Sequence, residues 1–124
     1  MTSDWVFILD EVDELSAMIL SSKQAENLRL AKQAVYEDIE LSAQIMAFQR
    51  LKDQYEDVQR FGKYHPDYNT IMKKIRTEKR RIDMIEQIAT LKVAENDFQD
   101  LLDEISLIIG RSVSEAVKVP VSNP

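Results

Sequence analysis

The sequence predicts an all-α fold: a single-domain helical bundle of about five helices, joined as helical hairpins and ending in a long C-terminal helix. Three observations predict it. Only two glycines and three prolines stand in 124 residues, and two of those prolines fall in the last five positions. That is too little turn chemistry for a sandwich, a barrel or a βαβ series. Apolar residues recur at steps of three and four along most of the chain, the period of an amphipathic helix. The length and a hydrophobic content of 44% provide one modest core and no second domain. We expect a helical domain over residues 1–118 and a flexible tail over 119–124, where Pro120, Ser122, Asn123 and Pro124 discourage regular structure.

Each element has its own warrant. Trp5, Ile8, Val12, Leu15 and Ile19 form one apolar stripe, widened by Leu9, on a first helix over about 4–20. Ser21 with Gln24 reads as a capping box that opens a shorter second helix. Its Ala25, Leu28, Ala31 and Val35 face inward, and the two helices are expected to pack as a hairpin. A third helix runs from about Asp38 to Phe61 on the stripe Leu41, Ile45, Phe48, Leu51, Tyr55 and Val58. Tyr68, Ile71, Met72, Ile75 and Ile82 define a fourth, whose stripe Glu78 and Lys79 interrupt. Asp83 with Glu86 is read as the cap of the fifth, and Ile85, Ile88, Leu91, Ala94, Phe98, Leu102, Ile105 and Ile109 carry its stripe toward Val113 and Val117. Such a helix is too long for one small bundle to cover. With the interrupted fourth stripe it predicts self-association, most simply as a dimer.

The middle of the chain turns at residues 60–68. Gly62 closes a helix through a positive φ, while Pro66 keeps His65 out of the α region and presets the next helical turn. Phe61, Tyr64 and Tyr68 add three rings to the histidine and to the cations Arg60 and Lys63, more than a turn requires. Tyr55, Phe61 and Tyr68 lie on apolar stripes and read as core, whereas Tyr64 and His65 lie off them.

Charge is unevenly distributed. Residues 1–59 carry 12 acidic and 5 basic side chains, 60–82 carry 2 and 8, and 83–124 carry 8 and 3. The basic middle segment suits a phosphate backbone or an acidic partner, and equally a solvated helix face. An isoelectric point near 4.8 weighs against a dedicated nucleic-acid binder.

Catalytic chemistry has little to stand on. There is no glycine-rich phosphate loop, no HExxH, no CxxC and no nucleophile elbow. The single histidine lacks companions for a metal set, and acid pairs such as Asp10–Glu11 read as solvated faces. We therefore expect no enzyme, no catalytic residue, no metal site and no cofactor in this chain. Cysteine is absent, which removes disulfides and thiolate ligands. Apolar runs are short, and Met1 to Ser3 lead straight into a helix, so a cytoplasmic soluble protein is expected.

Particular residues carry a family resemblance. The run Gln54-Tyr55-Glu56-Asp57-Val58-Gln59-Arg60-Phe61-Gly62-Lys63-Tyr64-His65-Pro66-Asp67-Tyr68 closely resembles the signature of the YlbF branch of the YlbF/YmcA family of Gram-positive bacteria. Ala94-Glu95-Asn96, Leu102-Asp103-Glu104-Ile105-Ser106, Val113-Ser114-Glu115, Val117-Lys118-Val119-Pro120 and Asn123-Pro124 extend it over almost the whole chain. The resemblance implies a small all-helical regulator that joins YmcA-like and YaaT-like proteins. That complex acts on the endoribonuclease RNase Y in mRNA processing, and so on competence, sporulation and biofilm formation. Some relatives continue into a cysteine-rich tail, and the complex is associated with iron–sulfur clusters. With no cysteine here, thiolate ligation is not carried over.

Two mechanisms from different classes follow, an adaptor that binds partner proteins and a direct RNA binder using residues 60–82. A plain helical oligomeric scaffold is the third reading. For the adaptor, the partner-binding residues are expected to be Arg60, Lys63, Tyr64, His65 and Asp67 at the turn. Lys73, Lys74, Arg76, Arg80 and Arg81 continue the surface on the fourth helix.

Overall fold

The structure, a computed structural model, describes residues 2–117. The expected tail at 119–124 lies outside the described residues. Five helices follow in order: α1 Thr2–Leu20, α2 Lys23–Glu37, α3 Ile39–Phe61, α4 Tyr68–Asp83 and α5 Glu86–Val117. A single 3₁₀ turn, Gly62–Tyr64, leads out of α3. No strand occurs among the described residues, so the all-α expectation holds.

The helices form two antiparallel pairs that share a waist. α3 runs out and α4 returns beside it, with Leu51 and Gln54 facing Lys74 and Glu78 across one groove. α2 lies along the first half of α5, where Asn27, Ala31 and Ala34 line one groove with Thr90, Ala94 and Asp97. Val35, Leu41, Ile82 and Ile88 are buried together where the pairs meet, and Ile45, Phe48, Ile85 and Leu91 pack around them. One residue from each of the four helices thus forms the centre of the core.

Asp38 makes this waist possible. Its extended backbone ends α2, and its carboxylate accepts from the Leu41 N–H at 3.0 Å to start α3. The other carboxylate oxygen accepts from Gln87 Nε2 on α5 at 3.1 Å. Ser42 Oγ donates to the Val35 carbonyl at 3.2 Å, which also accepts from the Asp38 N–H at 3.3 Å, so the last turn of α2 is closed by both. One carboxylate therefore caps a helix and ties the bend to the opposite pair.

Several local expectations need correcting. Ser22, not Ser21, caps α2, its Oγ accepting from the Ala25 N–H at 3.1 Å. Ser21 Oγ instead donates to the Met18 carbonyl at the end of α1. Asp83 closes α4 rather than opening α5, and its carboxylate pairs with Lys79 and Lys92. α4 begins at Tyr68, two residues beyond Pro66. The largest correction concerns α1, which meets α2 only near their joining turn. Leu15 and Ile19 are half-buried, but Trp5, Ile8 and Val12 remain exposed, so no packed α1–α2 hairpin exists. A periodic stripe shows that a helix has a side to bury, not that the same chain supplies the cover.

Candidate functional site

The turn between α3 and α4 is held by local geometry. Gly62 adopts φ 59° and ψ −148°, a region that is essentially glycine's alone. It is not the left-handed helical basin but a more extended one with positive φ, which swings the chain sideways into the 3₁₀ turn. The Gly62 N–H donates to the carbonyls of Val58 and Gln59. Its own carbonyl accepts from the His65 N–H at 3.1 Å.

His65 organises the second half of the turn. Its Nδ1 accepts from the Asp67 N–H at 3.0 Å, so the neutral ring carries its proton on Nε2. The His65 carbonyl accepts from the Tyr68 N–H at 3.1 Å, which starts α4. Its ring also lies tilted against Phe61, with centroids 5.9 Å apart. Phe61 is nonetheless 66% exposed, against the core role expected from its stripe, because the turn leaves α3 before α4 can cover it. Tyr55 and Tyr68, expected in the core, are half-buried.

Tyr64 projects from the 3₁₀ turn with 95% of its surface exposed. Lys63, Asp67 and Arg60 are exposed around it. The corner therefore presents an aromatic ring among charges of both signs, with no intrachain packing to explain the ring.

The basic residues of α4 divide into two sets. Lys73, Arg76 and Arg80 are spaced i, i+3 and i+7, which places them along one exposed side of the helix. None of them makes an ion pair among the described residues. Arg81 lies on the flank toward α3, where it bonds Glu78 at 2.8 Å and Gln44 Oε1 at 2.6 Å. Lys74, on the same flank, lines the groove between α3 and α4. Lys79 pairs with Asp83 at 2.9 Å. The interruption of the fourth stripe is thus a small polar network, with Glu78 half-buried beneath Arg81.

Eight of the ten expected partner-binding residues therefore make an elongated ridge rather than a pocket, while Lys74 and Arg81 lie on the flank toward α3. Five gather at the corner, and Lys73, Arg76 and Arg80 lead away from it along α4. Arg81 already has bonding partners within the chain. Lys92 is absent from the expected set, although it helps hold the α4–α5 turn through Asp83. Spacing alone does not reveal that contact, since nine residues separate the two. Hydrogen bonds from Lys92 and then Lys79 hold the Asp83 carboxyl below its usual range.

Among the described residues, no group of three or more His, Asp or Glu side chains is placed to hold a metal ion. A cysteine-free chain also has no thiolate to offer an iron–sulfur cluster, so the clusters associated with the family's complex do not fit these residues as ligands. No helix among the described residues is long and apolar enough to cross a membrane.

Comparison with known proteins agrees with the resemblance. The family model described as control of competence regulator ComK, YlbF/YmcA, matches residues 8–114. Regulatory protein YlbF of Bacillus subtilis (strain 168) is 49% identical over 123 residues, covering 99% of this chain and 83% of that protein. A chain in the X-ray crystal structure of Bacillus subtilis RicA in complex with RicF superposes with a TM-score of 0.84 at 49% identity. The match covers 91% of this chain and 98% of that one. A family model spanning the four packed helices, most of α1 and the glycine corner, with a relative this similar over nearly every residue, establishes that the chain belongs to the YlbF/YmcA family of competence regulators.

Proposed function

We propose that this chain is a non-enzymatic regulatory adaptor. It works with YmcA-like and YaaT-like proteins to direct RNase Y to particular transcripts, and through mRNA processing it affects competence, sporulation and biofilm formation. The observation that carries this reading is family membership together with a similar chain crystallised in a two-protein complex. The corner suits the role, because an exposed tyrosine beside free cations is the composition of an interface anchor with steering charges. Arg60 and Tyr64 are the proposed anchors, and Lys63, Lys73, Lys74 and Arg76 steer an acidic partner.

The test is copurification from native cells, followed by binding measurements with the recovered YmcA-like and YaaT-like proteins. Replacing Lys73, Lys74 and Arg76 by Glu slows association and reduces its salt dependence, while Tyr64→Ala mainly speeds dissociation. Helical circular dichroism stays unchanged in both variants. Wild-type binding by both would refute this use of the ridge.

The line of Lys73, Arg76 and Arg80 favours one second reading, direct contact with an RNA backbone. In that case the charge-reversed protein loses RNA affinity in proportion to the phosphates released, and protein partners bind as before. The acidic isoelectric point places this reading second.

A further inference from the structure

A wedge-shaped cavity of about 400 Å³ opens at the waist, between α2, α3 and the first half of α5. Its shape follows from the Asp38 bend, where α2 ends and α3 sets off to pair with α4, while Gln87 ties the start of α5 to the same point. Val35, Ile45 and Leu91 form the floor and belong to the waist core. The core is therefore open to water on this side. Tyr36 and Met46 stand at the rim, 79% and 60% exposed. No residue of α1 or α4 lines the wedge, so it is separate from the ridge and from the apolar end of the molecule, where α1 stands uncovered.

Two charges of opposite sign mark one lip. Lys32 lies one turn before Val35 on α2, and Glu95 lies one turn beyond Leu91 on α5. Because these two helices are antiparallel, both steps lead away from the bend, to the same edge of the cavity. Neither side chain makes an ion pair among the described residues. Ser42, by contrast, already gives its proton to the Val35 carbonyl. The wedge thus offers an apolar floor, a ring and a thioether on its rim, and an unpaired cation and anion at its edge.

We propose that this wedge seats an amphipathic helix of a partner protein, which inserts two large apolar side chains one turn apart and sets an acid against Lys32 and a base against Glu95. The open side decides against a small molecule. A small-ligand site encloses most of its occupant's surface, whereas this wedge leaves one whole side in water. A helix needs only its apolar stripe covered, and its other side stays solvated. Side chains at i and i+4 on such a helix stand about 5–6 Å apart, a span that the cavity takes in. Charge selects the same occupant. Residues three or four positions from an apolar anchor flank it on a helix, so an acid and a base there meet Lys32 and Glu95, and the exchanged arrangement is repelled. The uncovered α1 of a second copy carries five acids and no base, which leaves Glu95 unmet. Tyr36 and Met46 suit the contact, one as an aromatic anchor and the other as an adaptable thioether.

The test uses a synthetic alanine-based helix of about sixteen residues, with leucine at two positions four apart and a Glu and a Lys one turn from them. Fluorescently labelled, it is titrated with the purified chain and followed by anisotropy. Saturable binding is expected, and Met46→Glu or Tyr36→Ala should weaken it by about tenfold or more. A peptide with its Glu and Lys exchanged should bind about threefold more weakly, and Lys32→Glu with Glu95→Lys should reverse that preference, a readout that misfolding does not mimic. The variant with Lys73, Lys74 and Arg76 replaced by Glu should bind the peptide as wild type does, which keeps this contact distinct from the proposed use of the ridge. Absent binding, indifference to Met46→Glu, an unreversed preference or loss in the ridge variant would each overturn the proposal. Equal competition by free N-acetyl-leucine amide would assign the wedge to a small ligand instead. A change in the sedimentation mass of the chain alone on Met46→Glu would assign it to a second copy, and either result would overturn the proposal as well.

Discussion

Replacing Gly62 by alanine isolates backbone strain from every other cost of a substitution. The added Cβ meets no atom within 4 Å, so there is no clash to relieve. What remains is φ 59° with ψ −148°, where an L-residue costs about 1–3 kcal/mol. Alanine also restricts the unfolded chain, which offsets about 0.4–1 kcal/mol. The net destabilisation is about 1–2 kcal/mol, or about 4–8 °C in Tm for a chain of this size. Urea denaturation followed by circular dichroism at fixed protein concentration measures it. Gly110→Ala provides the contrast, because it sits within α5 without a positive φ. There the same methyl group raises helix stability by up to about 1 kcal/mol. An unchanged midpoint for Gly62→Ala would refute the argument that the corner depends on a glycine-only conformation.

Three further outcomes follow from the same contacts. Leu41, 3% exposed at the centre of the waist, should cost about 2–4 kcal/mol as Leu41→Ala, read as a lower urea midpoint with an unchanged slope. Ser22→Ala removes the oxygen that accepts from the Ala25 N–H and should cost about 1 kcal/mol in the same assay. Asp83 titrates below the ordinary aspartate value because Lys92 and Lys79 bond its charged form. The unfolded chain then binds more protons than the native one, so this contribution is fully present above the ordinary aspartate range and fades as pH falls through the lower folded value. Asp83→Asn should flatten that acid limb, and salt should shrink the difference between the two proteins. An identical acid limb would remove the role given to Lys92.

Much of the fold was legible because burial follows periodicity wherever the chain covers itself. The third stripe, from Leu41 to Val58, is buried or half-buried at every position named. On the second, Ala25, Ala31 and Val35 are all in the core. Turn chemistry was legible only to within a residue or two. Ser21 and Ser22 are chemically equal candidates, and the choice depends on where α1 runs out of hydrogen-bonding partners. Asp83 was misplaced for a related reason. A carboxylate near a helix boundary suits the start of the next helix as well as a pair of lysines, and Lys92 reaches it only after the chain has turned.

The ridge and the apolar end show two different limits of the same reasoning. Tyr64 was marked by lying off both flanking stripes, and at 95% exposure it is a side chain the fold does not use. Trp5 gave the opposite signal, a place at the head of a regular stripe, and yet it is 68% exposed. Both rings face water, for different physical reasons. Tyr64 sits on a turn with no neighbour to pack against, so a hydroxyl-bearing ring can remain solvated until a partner arrives. Trp5 sits on a helix whose whole apolar side lacks cover, and a helix patterned for burial is stable where tertiary contact supplies what propensity alone does not. Periodicity therefore marks the side of α1 that is patterned for burial, and the single chain leaves that side uncovered.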